Sequence, residues 1–269
     1  MEKYDVRFKK KFGQNFLKDT NIVKKIVNIG EIDKDSLVIE VGPGGAIMTK
    51  ELAEQAKNVL AYEIDTDLEN ELAIKLSSYS NVEVLFRDFL SANLSEDISK
   101  YEYKKLYFVS NVPYYITTPI LMKLIKSGLH FDKIVMMVQK EVGDRFSTKP
   151  GNRDYGSITV LLNYFYKVKK EFFVSKKQFV PMPKVDSVVI SFTEKEDKLF
   201  LKDFDFFETI LRDSFQYKRK NIRNNLKKYD LNVVEEVLKN HNLDLNSRAE
   251  TFELEVFIDL ANALYEISR

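Results

Sequence analysis

From about Ser36 to Ser191, short apolar runs alternate with stretches in which apolar residues recur every three or four positions. The runs SLVIEV (36–41), NVLAYEI (58–64), VEVLF (82–86), KLYFV (105–109) and KIVMMVQ (133–139) read as buried strands. Between them Ala46–Ala56, Asp67–Ser77 and Thr118–Lys126 read as amphipathic helices. Such repetition predicts a mostly parallel sheet with helices on both faces. SITVLLNYFYKV (157–168) and KVDSVVISF (184–192) read as further strands, able to close the sheet with an antiparallel edge.

After about Glu194 the pattern changes. DFDFFETILRDSFQYKRKNIRNNLKKY and FELEVFIDLANALYEI keep a helical period and lack β-branched runs. The expected organisation is an α/β domain over residues 1–196 and a helical domain over 197–269, with TEKEDK (193–198) as a charged linker.

Composition narrows the chemistry. The 269 residues are long enough to bury a full core. The formal net charge is +1, so any nucleic-acid contact must come from local basic clusters. There is no cysteine, which removes disulfides, thiolate catalysis and cysteine-ligated zinc. His130 and His241 are far apart and have no ligand-spaced carboxylates, so no metal is expected. The segment MEKYDVRFKKKFGQNF is charged and lacks the apolar core of a signal peptide. No apolar run approaches the roughly 20 residues of a membrane span. The reading is a cytoplasmic, monomeric protein without membrane association.

VIEVGPGGAIMTKELAE places Gly42, Gly44 and Gly45 between a strand and a helix. Glycine there lets backbone approach a ligand closely. The dinucleotide fingerprint would need glycine at 47, where Ile47 stands, and no Gly-Lys-Ser/Thr follows. The plain alternative is an ordinary tight turn. Glu63 lies about 20 residues on, where an acid accepts from ribose hydroxyls, and Asp88 ends the next strand. Gly42, Glu63, Asp88 and Asn111 thus fall at one sheet edge. Two carboxylates without a basic residue suit a ribose, an adenine amine and a cation, and repel phosphate. S-Adenosylmethionine has that chemistry.

SNVPYYITTP (110–119) follows the strand KLYFV. An adenine exocyclic amine is a poor nucleophile because its lone pair is delocalised. Accepting hydrogen bonds from its N–H groups favours a pyramidal nitrogen. Asn111 Oδ1 and the carbonyl of Val112 or Pro113 could accept them, Pro113 would stiffen the turn, and Tyr114 offers a stacking face. The plain alternative is a turn with a packed tyrosine.

FGQNFL (12–17), EVGPGGAIMTKEL (40–52), EID (63–65), NVPYYITTPI (111–120), MVQKEVGDR (137–145) and FVPMPKVDSVV (179–189) occur in this order. Together they resemble the ribosomal RNA adenine N6-dimethyltransferases, most of all the bacterial small-subunit (16S) members, over nearly the whole chain. The resemblance implies a Rossmann-like class I methyltransferase with a seven-stranded sheet and a small all-α carboxyl-terminal domain. It implies transfer of four methyl groups from S-adenosylmethionine, leaving S-adenosylhomocysteine, to two adjacent adenosines near the 3′ end of 16S rRNA, in the small subunit or its precursor. Carried onto this sequence, Asn15 and Leu17 line the cofactor site with Gly42 and Gly44. Glu63 holds the ribose, Asp88 meets the cofactor's adenine and Asn111 borders cofactor and target base. Tyr114 and Phe179 would sandwich the flipped adenine; without the resemblance Phe179 reads as a packed loop anchor. The family often carries asparagine where Tyr115 stands.

Two segments are basic. One holds Arg7, Lys9, Lys10 and Lys11; the other holds Lys218, Arg219, Lys220, Arg223, Lys227 and Lys228. If the second is helical, Lys220, Arg223 and Lys227 share a face able to track phosphates. A solvated helix surface is the plain alternative. Two competing readings remain: a 23S rRNA adenine methyltransferase, and a non-catalytic RNA-binding factor on a methyltransferase scaffold.

Overall fold

The computed structural model describes residues 16–267. The apolar runs become strands β2 (Ser36–Val41), β3 (Asn58–Glu63), β4 (Val82–Phe86), β5 (Lys105–Asn111) and β6 (Lys133–Gln139), after a short β1 (Phe16–Leu17). Helices α1 (Thr20–Gly30), α2 (Ile47–Gln55), α3 (Glu69–Leu76), α4 (Leu94–Ile98) and α5 (Thr117–Lys126) connect them. Then follow α6 (Lys140–Phe146), α7 (Ser157–Phe165), β7 (Tyr166–Val174), β8 (Phe179–Val180) and β9 (Ser187–Glu194). Helices α8 (Phe204–Ser214), α9 (Ile222–Asn225), α10 (Leu231–Asn240) and α11 (Leu254–Ile267) complete the chain.

The main sheet has seven strands in the order β4-β3-β2-β5-β6-β9-β7. Strands β2 to β6 pair in parallel. β9 runs antiparallel to β6, as the sequence suggested. Alternate strand residues face opposite layers. Val38, Val59, Val109 and Val135 meet Val23, Ile26 and Val27 of α1 and Met48 and Leu52 of α2. On the strands' other parity, Tyr62 and Phe108 meet the Phe89 ring edge-on and tilted, at centroid distances of 5.1 and 6.0 Å. A separate two-stranded ribbon pairs β1 with β8, Phe16 opposite Val180 and Leu17 opposite Phe179.

One expected strand is a helix. Residues 157–165 form α7, and the strand begins only at Tyr166. Thr159, Val160, Leu161 and Leu162 are all buried, and an apolar run covered on every side carries no period to separate helix from strand.

Two compact units are present. The first takes the chain up to Gly143 with Lys169–Glu194; the second takes Asp144–Val168 with the chain from Lys195 onward. The second therefore includes a segment the sequence reading placed with the sheet. Within it Lys195 N donates to Phe165 O (2.8 Å) and Gly151 N to Glu250 O (2.7 Å). Its core includes Phe207, Ile210, Leu226, Leu238, Phe252 and Phe257. Among the described residues no helix is long and apolar enough to cross a membrane.

Candidate active site

Strand order reverses beside β2: β3 and β4 lie on one side, β5 and β6 on the other. Carboxyl ends diverge at such a point and leave a crevice for a ligand. Gly42, at φ +75°, turns the chain out of β2, and its N–H donates to Tyr62 O at 2.8 Å. A Cβ on Gly42 would stand 3.9 Å from the Pro113 ring, so the glycine loop and the Asn-Val-Pro-Tyr turn abut. Gly44, at φ +49°, is more constrained: a Cβ there would lie 2.5 Å from a ring carbon of Phe16.

Glu63 ends β3 and is buried. Its Oε2 accepts from Gly44 N (3.3 Å) and its Oε1 from Asp65 N (2.9 Å). Burial raises its pKa, while these backbone donors oppose the rise. Asp88 is exposed and caps the turn Phe89–Ser91 through Leu90 N at 2.9 Å.

Ser110 Oγ donates to Val41 O (2.7 Å), which ties the end of β5 to β2 and sets Asn111 beside the glycine loop. Pro113, at φ −57°, precedes the single turn Tyr114–Ile116. The Tyr114 hydroxyl pairs with Ser187 Oγ at 2.6 Å. Burial raises the Tyr114 pKa, Ser187 opposes this, and Asp186 adds to it.

Leu17, Gly42, Gly44, Glu63, Asp88, Asn111, Pro113 and Tyr114 all line one cavity. Phe179 does not. It is 1% exposed and sits in the core with Leu17, its partner in the β1–β8 ribbon. In this conformation it offers no face to a base; strand pairing turns it inward as a packed anchor. Asn15, Arg7, Lys9, Lys10 and Lys11 lie outside the described residues.

The cavity also holds residues that sequence reasoning passed over. Phe16 covers the glycine loop. Arg87 borders it but is paired with Asp97, which also accepts from the Tyr62 hydroxyl at 2.7 Å. Tyr115 is 57% exposed at the rim. Glu40 stands in the wall, and one signal could have found it: an acid inside the apolar run SLVIEV. Among the described residues no lysine lines the cavity. Acidic, unpaired with any cation among the described residues and rich in aromatic surface, the lining fits a cationic nucleoside such as S-adenosylmethionine.

In the second unit Lys218, Arg219 and Lys220 occupy an exposed turn after α8, and exposed Arg223 lies in α9. Because α9 spans only Ile222–Asn225, Lys220, Arg223 and Lys227 do not form the expected helical stripe. Asn221 caps α9 through Asn224 N and so ends the turn there. Lys228 is drawn back to Asp213 at 2.9 Å.

Comparison with known proteins decides the family. The family model described as "Ribosomal RNA adenine dimethylase" matches residues 5–266. The chain belongs to the ribosomal RNA adenine dimethylase family. Ribosomal RNA small subunit methyltransferase A of Streptococcus gordonii is 42% identical over 273 residues, covering 98% of this chain and 94% of that protein. Its namesake from Streptococcus thermophilus is 41% identical, covering 99% and 95%. Among solved structures, a dimethyladenosine transferase from Plasmodium falciparum superposes with a TM-score of 0.77 at 27% identity, covering 94% of this chain and 97% of that one. The 23S rRNA methyltransferase ErmE gives 0.70 at 27% identity, covering 93% and 99%. In this dimethylase the glycine loop and the Asn-Val-Pro-Tyr turn border one cavity.

Proposed function

We propose that this chain transfers four methyl groups from S-adenosylmethionine to the N6 atoms of two adjacent adenosines near the 3′ end of 16S rRNA. It acts as a monomer in the cytoplasm, on the small ribosomal subunit or its precursor. The observation that carries this reading is the abutment of Gly42 and Pro113: cofactor loop and acceptor turn share one cavity within a chain of this family.

Bound S-adenosylmethionine supplies an electrophilic methyl group; the chain's own residues place the acceptor. Asn111 Oδ1 and the adjacent main-chain carbonyl accept from the target amine and localise its lone pair. Tyr114, held by Ser187, presents its ring to the base. Gly42, Gly44 and Glu63 fix the cofactor end, with Leu17 and Asp88 beside them and Asn15 proposed to join them. No strong base is needed, since the amine becomes acidic once methylated and its proton leaves to water. Lys218, Arg219, Lys220 and Arg223, with Lys9, Lys10 and Lys11, are proposed to engage rRNA phosphates.

The test is transfer of labelled methyl groups to immature small subunits and, separately, to naked 23S RNA. Label is expected in the small subunit, and Asn111→Ala should lower kcat about 10- to 100-fold with little change in cofactor Kd. Label confined to 23S RNA would overturn the proposal.

A further inference from the structure

Glu40 has no role in the reaction proposed above, yet it borders the same cavity. It lies in β2 on the parity of Val38, the face turned toward α1 and α2. It is 2% exposed, and its Oε2 is buried without a hydrogen-bond partner. Thr49 Oγ1 of α2 is buried as well, and its hydroxyl is the group that favours the ionised form of the Glu40 carboxyl. An unmet buried polar atom costs about 1–3 kcal/mol, so a carboxyl oxygen left this way in the wall of a cavity calls for a reason.

Few groups act on this carboxyl. Burial disfavours its charged form most strongly; the Thr49 hydroxyl opposes that, and the negative charge of Glu63 from β3 adds to it. No cation contributes among the described residues. The outcome is a carboxyl pushed up to about 8. A buried acid lacking a positive partner keeps its proton; a cation arriving beside it favours the ionised form.

We propose that Glu40 carries a proton until a cationic cofactor enters the cavity, then releases it to solvent, so that cofactor charge takes the place of the proton. This rests on the proposed use of S-adenosylmethionine and deepens it: the site exchanges one positive charge for another. Cofactor binding is therefore linked to pH through a residue that need not touch the reacting atoms.

Calorimetric titration of S-adenosylmethionine into the full chain at pH 7, in two buffers of different ionisation enthalpy, reads the protons released. Up to about 0.9 proton per cofactor is expected from a group of this pKa. Affinity should rise by up to about tenfold between pH 6 and pH 7. Glu40→Gln should lose this release while still binding. The wild type titrated at pH 9, where Glu40 has already ionised, should release little, so the test does not depend on the variant's folding. Tight binding without proton release, or equal release from wild type and Glu40→Gln, would overturn the proposal and leave the cofactor assignment standing. Absence of any binding by the wild type would overturn that assignment, and this proposal with it.

Discussion

The place of Tyr114 beside the cavity was legible, but its anchor was not. The hydroxyl reaches Ser187, 73 residues further along the chain, at 2.6 Å. No local pattern announces such a pairing. Tyr114→Ala should lower kcat/KM by about 5- to 150-fold, the range of one lost base stack. Tyr114→Phe and Ser187→Ala should each cost less, and by similar factors, because each removes the same hydrogen bond while keeping the ring. Steady-state kinetics on immature subunits checks this. Glu40 makes a second prediction at this scale. Its folded-state carboxyl lies at about 8 against an ordinary 4.5, so the folded protein holds the proton more tightly than the unfolded chain. That stability is fully present below about pH 4.5 and is lost as pH rises through about 8. Without cofactor, the thermal midpoint should fall between pH 5 and pH 8, and fall less in Glu40→Gln. An equal slope in both proteins would show that the proton is held elsewhere.

Elements whose strands sit between other strands were readable, because continuous apolar runs admit few readings once glycine or proline bounds them. β2 and β6 match their sequence bounds residue for residue. α7 was not readable: burial on all sides erased its period. Nor was the β1–β8 ribbon, two residues per strand joined across the whole domain. That ribbon explains both Phe179 and Phe16. It draws Phe179 into the core and brings Phe16 onto the glycine loop. Gly44→Ala should therefore be harmful twice over, through its positive φ and through the Phe16 ring. A loss of about 1–3 kcal/mol by chemical denaturation, with weakened cofactor binding, is expected. Trimming the ring in Gly44→Ala/Phe16→Ala should recover part of it; no recovery would show that the backbone alone sets the cost.

On the scale of the whole molecule, net charge of +1 leaves rRNA attraction to local clusters. The exposed turn bearing Lys218, Arg219 and Lys220, with Arg223 beside it in sequence, is the cluster proposed for that role. The composition of that turn was plain in the sequence. Its shape was not, because Asn221 ends the turn with a cap that interrupts the helix. Replacing Arg219, Lys220 and Arg223 by alanine should weaken RNA binding at low salt. Its salt dependence should flatten by about one unit of slope for each phosphate that is no longer neutralised. Cofactor affinity should stay unchanged. The central claim, that one cavity brings a methyl donor to an rRNA adenine held by Asn111, is tested most directly by mass spectrometry of 16S rRNA. The rRNA would come from cells lacking this chain, then given back the wild type or Asn111→Ala. Two adjacent N6,N6-dimethyladenosines near the 3′ end should vanish, return with the wild type and return poorly or not at all with Asn111→Ala. Dimethyladenosine that persists without the chain, or returns in full with Asn111→Ala, would contradict the account.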